Sequence, residues 1–136
     1  MMDTKKPRVL IADDERHCRV LMKAVMHSMK CDVVGEAGNG TEVLDLYRKT
    51  KPHLLLLDIN MPGETGDKVL KDLFAEFPQA FVIMLSSVVD MGSVEKCLSL
   101  GAANYIRKDT PLEEIKLLIK ETWQIFARNR AKVEGK

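Results

Sequence analysis

The chain is short of cysteine, of charge imbalance and of long apolar runs, and each shortage closes off a class of protein. Three cysteines, Cys18, Cys31 and Cys97, are an odd number without the paired spacing of a metal motif. A disulfide framework therefore finds no support, and buried thiols in a reducing cytoplasm are expected. The three histidines, His17, His27 and His53, are scattered, and surface or partly packed positions are expected of them rather than ligation. Charge of one sign is also missing: 21 basic against 20 acidic side chains leave a net charge of +1. That balance gives no footing for a nucleic-acid or membrane-surface protein. No stretch approaches the ~18 apolar residues of a membrane span. Met1 to Pro7 leads into a short apolar run only, so no leader peptide is expected. Repeats, low-complexity tracts and linkers are lacking as well. One domain over residues 1–136 is expected, with a polar, fraying tail at about 128–136.

What is present is an alternation of short apolar runs and amphipathic stretches. Residues 54–57 are four consecutive leucines that end in Asp58 and a Met61-Pro62-Gly63 turn. Such a run, bounded by turn residues, predicts a strand buried on both faces. Further strands are predicted at residues 9–12, 32–37, 81–85 and 102–106, the last less apolar and so at an edge. Between them, helical spacing predicts helices ending near Met29, Lys49, Phe77 and Leu100. The first is expected to bury Cys18, Leu21, Met22, Val25 and Met29, and the fourth Val94, Cys97 and Leu98, with Gly101 ending it. Thr110-Pro-Leu-Glu113 reads as a capping box opening a last helix that buries Leu112, Ile115, Leu118, Ile119, Thr122 and Phe126, with Trp123 off the stripe. Five strands alternating with five helices predict an α/β fold, a doubly wound parallel sheet covered on both faces.

Open α/β sheets place their ligands at the carboxyl ends of the strands. Those ends carry Asp13 and Asp14, Asp58, Ser86 and Lys108. With the first and third strands adjacent, three carboxylates share one crevice and repel unless neutralised. Mg²⁺ suits such a set, because it accepts a few carboxylates and keeps several waters. Asp58 could then act as a nucleophile toward a phosphoryl group, forming an acyl phosphate while the cation and Lys108 stabilise the charge.

In the ordered set Asp13-Asp14, Asp58-Ile-Asn-Met-Pro-Gly63, Ser86, Tyr105 and Lys108, the chain resembles the receiver domain of bacterial two-component response regulators, the CheY-like fold, over essentially its whole length. The resemblance implies a flavodoxin-like strand order 2-1-3-4-5. It implies phosphorylation of Asp58 from a sensor histidine kinase, a phosphotransfer protein or a small phosphodonor. Asp13, Asp14 (the more direct ligand), Asp58 and the backbone carbonyl of Asn60 would hold Mg²⁺ or Mn²⁺. Ser86 would move to the phosphoryl group, Tyr105 would turn inward with it, and Lys108 would pair with phosphoryl oxygens. A downstream protein would read the face of the fourth helix, fifth strand and last helix. The resemblance further implies a cytoplasmic signalling switch, a monomer or activation-dependent dimer, rather than a turnover enzyme.

Two positions depart from the common pattern. Asp109 follows Lys108 where many receivers have a cis proline, a feature shared with receivers of the NarL type, which usually carry a DNA-binding domain. Val88 is apolar where some members place a polar side chain, which is expected to affect the phosphoryl lifetime. The alternative readings are accordingly the receiver portion of a NarL-type transcription regulator, or a Mg²⁺-dependent phosphohydrolase with an aspartyl nucleophile. The latter would want an aspartate where Asn60 stands.

Overall fold

The four leucines show no alternation because both of their faces are covered. In the computed structural model, which describes residues 6–87 and 90–134, Leu54–Leu57 is the central strand β3 of a five-stranded parallel sheet. Leu54 and Leu56 point into one apolar layer, Leu55 and Leu57 into the other, and none is more than 2% exposed. Full burial of one such side chain stabilises by about 1.5–3 kcal/mol. The other strands are β1 (Arg8–Ala12), β2 (Asp32–Ala37), β4 (Val82–Ser86) and β5 (Asn104–Arg107), in the order β2-β1-β3-β4-β5. The expected strand order and α/β class are what the chain adopts.

The helices are α1 (Arg16–Ser28), α2 (Val43–Thr50, entered through a 3₁₀ turn at Gly40–Glu42), α3 (Gly66–Glu76), α4 (Met91–Leu100) and α5 (Leu112–Glu134). α1 and α5 cover one face with Met22, Val25, Met26, Ile115 and Ile119. The helices α2, α3 and α4 cover the other with Val43, Tyr47, Val69, Leu70, Leu73 and Cys97. Right-handed crossovers of parallel strands require this two-layer coat. Phe81 ties α5 down by stacking on Phe126 at 4.2 Å and meeting Trp123 edge-on at 5.5 Å, so Trp123 is a half-buried packing residue.

Several predicted details are corrected. Leu21, Leu98 and Leu112 are 42%, 41% and 38% exposed, so none belongs to the core stripes. In α1 the stripe is completed by the fully buried Met26 instead, because the helix face is centred about one residue away from where Leu21 would put it. The Thr110–Glu113 capping box does not form: among the described residues no side-chain hydrogen bond joins the two. The first helical bond runs from Ile115 N to the Pro111 carbonyl, which starts α5 at Leu112. The helix α5 extends into the expected polar tail, through Glu134. Val88 lies outside the described residues. Lys108 is followed by Asp109 without a cis peptide among the described residues, and Asp109 pairs with Arg107 at 2.8 Å. Of the thiols, Cys31 and Cys97 are buried as expected and Cys18 is half-exposed.

These burials separate two leucines that the sequence pattern treats alike. Leu56→Ala is expected to cost about 2–5 kcal/mol in chemical denaturation. Leu21→Ala should stay within about 0.5 kcal/mol of the parent. Equal losses would place Leu21 back in the core.

Candidate functional site

The sheet ladder itself delivers the site. Just past the strands, Asp13 N donates to the Ala37 carbonyl at 2.9 Å, Asp58 N to the Ala12 carbonyl at 2.9 Å, and Lys108 N to the Ser86 carbonyl at 3.0 Å. Each residue is thus fixed by the neighbouring strand before the chain turns away, and all converge on one crevice. The turn after Asp58 is shaped by close backbone contact. Gly66 N donates to the Ile59 carbonyl at 2.7 Å, and a Cβ on Gly66 would lie 2.8 Å from the Ile59 Cα. Gly63, at φ +91°, sits in the left-handed region that favours glycine.

At the centre stands the Lys108 ammonium. It lies 2.8 Å from Asp13 Oδ2, 2.9 Å from Glu15 Oε1 and 3.2 Å from Asp58 Oδ2. Asp13 and Asp58 are each only 4% exposed. Asp58 also accepts a hydrogen bond from the buried Ser86 hydroxyl, and its Oδ1 accepts from Asn60 N at 3.3 Å. Asp13 Oδ1 accepts from Glu15 N at 2.9 Å, while the Arg19 guanidinium donates to the Asp13 carbonyl at 2.6 Å.

Burial pushes the Asp58 carboxyl above its ordinary value, a rise that Ser86 and Lys108 restrain and the Asp13 charge reinforces. Burial acts against the Lys108 ammonium too. Its hydrogen bonds to Asp13 and Glu15 and the charge of Asp58 outweigh that, so its pKa is raised. Glu15 is held below the usual carboxylate range, mainly by its bond to Lys108.

Oxygens of Asp13, Asp14 and Asp58 lie within 4.8 Å of one another. Asp14 is exposed at the crevice mouth, and Asn60 is likewise exposed. Three carboxylates against one shared ammonium form a donor set that suits a hard divalent cation. The Tyr105 hydroxyl is already buried, on the α4 side of β5, and has no hydrogen-bond partner among the described residues. Burial raises its pKa, and the Asp58 and Cys97 charges add to the rise.

Sequence reasoning placed Asp13, Asp14, Asp58, Ser86 and Lys108 together, and the structure does the same. The sequence pattern does not single out Glu15 as a partner of Lys108. The two stand 93 positions apart in the chain, which leaves no local signal beyond Glu15 following Asp13 and Asp14.

The comparisons with known proteins agree with this geometry. The model of the response regulator receiver domain matches residues 9–120. The protein CcdB of Bacillus subtilis is 37% identical over 111 residues, which is 82% of this chain and 91% of that protein. The chemotaxis protein CheY of Listeria monocytogenes is 36% identical over 101 residues, covering 74% of this chain and 85% of the relative. Among solved structures, the signal receiver domain of the response regulator NarL from Mycobacterium tuberculosis superposes with a TM-score of 0.79 at 30% identity, covering 87% of this chain and 96% of that one. The chain belongs to the response regulator receiver domain family of two-component systems. That family works as a signalling switch. Among the described residues, no helix is long and apolar enough to cross a membrane.

Removing the ammonium should expose the repulsion it neutralises. Lys108→Met leaves Asp13 and Asp58 buried and unpaired, and is expected to cost roughly 3 kcal/mol near pH 7. In the variant Asp58, already pushed up by burial, loses the restraint of Lys108 and stays raised above its unfolded value, so folding stability falls as pH rises through that window and recovers as the carboxyl protonates. The deficit should therefore shrink between pH 7 and pH 4 in urea melts. A deficit that does not vary with pH would count against the pairing.

Proposed function

We propose that the protein is a phosphorylation-activated receiver that takes a phosphoryl group on Asp58 from the phosphohistidine of a sensor kinase or phosphotransfer protein, or from a small phosphodonor. The observation that carries this reading is the Asp58 carboxylate, buried at a strand end yet held by both the Lys108 ammonium and the Ser86 hydroxyl. In the transfer, an Asp58 oxygen bonds to phosphorus as the P–N bond to the histidine breaks. The imidazole leaves with the bonding pair, and an acyl phosphate remains.

Lys108 can follow the phosphoryl group with little movement, exchanging a carboxylate oxygen for a phosphoryl oxygen. Ser86 can shift its hydrogen bond the same way. Asp13, Asp14, Asp58 and the Asn60 carbonyl are the residues that would hold Mg²⁺ or Mn²⁺, which when bound supplies neutralisation of the phosphoryl oxygens. Tyr105, with its hydroxyl buried and unpartnered among the described residues, is the side chain that would sense the change. The face of α4, β5 and α5, with Met91 65% and Leu98 41% exposed, is the surface a downstream protein would read in the cytoplasm.

A second reading is favoured by one specific observation, the Lys108-Asp109 sequence together with the likeness to the NarL receiver. The chain would then be the receiver portion of a DNA-binding regulator. A reading frame that continues past Lys136 into a helix-turn-helix decides for it, and a stop codon there removes it. The phosphohydrolase reading lacks its acid/base residue, because Asn60 occupies that position.

Incubation with acetyl phosphate and Mg²⁺ should add one phosphoryl group by intact mass, and none to Asp58→Asn. Incorporation into the variant would sink the assignment. Mg²⁺ at about 100 times its Kd should stabilise the parent by about 2.7 kcal/mol. Asp58→Asn should show a smaller shift, because one carboxylate is lost.

A further inference from the structure

Beside the acidic crevice lies a second donor set of different chemistry. Carboxylate, imidazole and thiol atoms of Glu15, His17 and Cys18, at the start of α1, all lie within 4.8 Å of one another. Cys18 Sγ is 3.4 Å from Glu15 Oε1 and 3.6 Å from His17 Nε2. A tetrahedral zinc ion bonds sulfur at about 2.3 Å and nitrogen or oxygen at about 2.0–2.1 Å, which holds S and N roughly 3.6 Å apart and S and O roughly 3.5 Å apart. Two edges of the tetrahedron are therefore already in place. The charge also balances, since one carboxylate and one thiolate neutralise a dication while His17 binds as the neutral imidazole.

We propose that Glu15, His17 and Cys18 form a binding site for a borderline-soft divalent metal ion of the Zn²⁺ class, with its remaining position open to water. The mixed N, O and S donors distinguish it from the all-oxygen set of Asp13, Asp14 and Asp58, which suits Mg²⁺. In the free protein Cys18 is a thiol, pushed up to about 11 chiefly by burial, which Lys108 partly offsets. Binding breaks the S–H bond, forms the S–metal bond and releases the proton to solvent. Arg16 and Val20, the other residues flanking this turn, are exposed and leave the site open to solvent.

The same oxygen, Glu15 Oε1, also takes the hydrogen bond from Lys108 at 2.9 Å. Metal and ammonium compete for it, so an occupied site leaves Lys108 to Asp13 and Asp58 alone. This coupling rests on the receiver reading; the metal site does not.

Co²⁺ is the spectroscopic probe, with Zn²⁺ affinity measured by competition against a chromophoric chelator. The full chain should bind one Co²⁺ with a thiolate-to-cobalt charge-transfer band. Cys18→Ser should abolish the band and weaken Zn²⁺ at least about tenfold, and His17→Ala should weaken it comparably, with circular dichroism unchanged. Asp58→Asn should keep the thiolate-to-cobalt band, which separates this site from the acidic crevice. A charge-transfer band surviving in Cys18→Ser, Zn²⁺ affinity unmoved by His17→Ala, or loss of binding in Asp58→Asn would each overturn the proposal.

Discussion

One ammonium group holds the functional end of this molecule together. Lys108 reaches Asp13, Glu15 and Asp58 at hydrogen-bond distance, and two of those carboxylates are nearly sealed from water. Buried like charges cannot persist uncompensated, so the crevice is tolerable only because a cation is built into it. The arrangement leaves the site one positive charge against four carboxylates once Asp14 is counted. It is stable, yet still inviting to a further cation and to a change in what Lys108 is bonded to. That tension is the physical basis for a switch.

The sheet exists, from the site's point of view, to fix where those charges stand. β1, β3 and β5 are each followed by a charged residue, Asp13, Asp58 and Lys108, whose own N–H continues the ladder by one bond. The all-leucine β3 is clamped between two apolar layers, which lets the residue just after it, Asp58, be polar without loosening the strand. The glycines behind the following turn allow backbone to approach backbone, so the loop folds down against Ile59 and not away from it.

Periodicity made the strands legible, because a parallel sheet buried on both faces needs uninterrupted apolar runs and few other elements do. It was weaker for helices. Leu21, Leu98 and Leu112 fit a helical stripe on paper, but each sits at its margin, and only the angle at which the helix meets the sheet decides whether a margin is covered. The capping box failed for a related reason: Pro111 fixes the entry to α5, and its carbonyl takes the first helical bond, so Thr110 and Glu113 are not brought into register. His17 and Cys18 looked unremarkable in sequence, since adjacent residues on a helix do not usually converge. The turn that places Glu15 at the start of α1 is what brings a third donor to them.

By itself, the sequence determined the class of fold, the strand that forms its centre and the identity of the charged residues at the strand ends. Those are properties of local patterns, since apolar runs choose strands and turn residues end them. Only the tertiary structure decided which acid meets which base. That Glu15 shares Lys108 across 93 positions, that Ser86 already bonds Asp58, and that the Tyr105 hydroxyl is buried without a partner among the described residues all depend on parallel strands placed side by side. Charge pairing acts through space over a few ångströms, and distance along the chain carries no information about it.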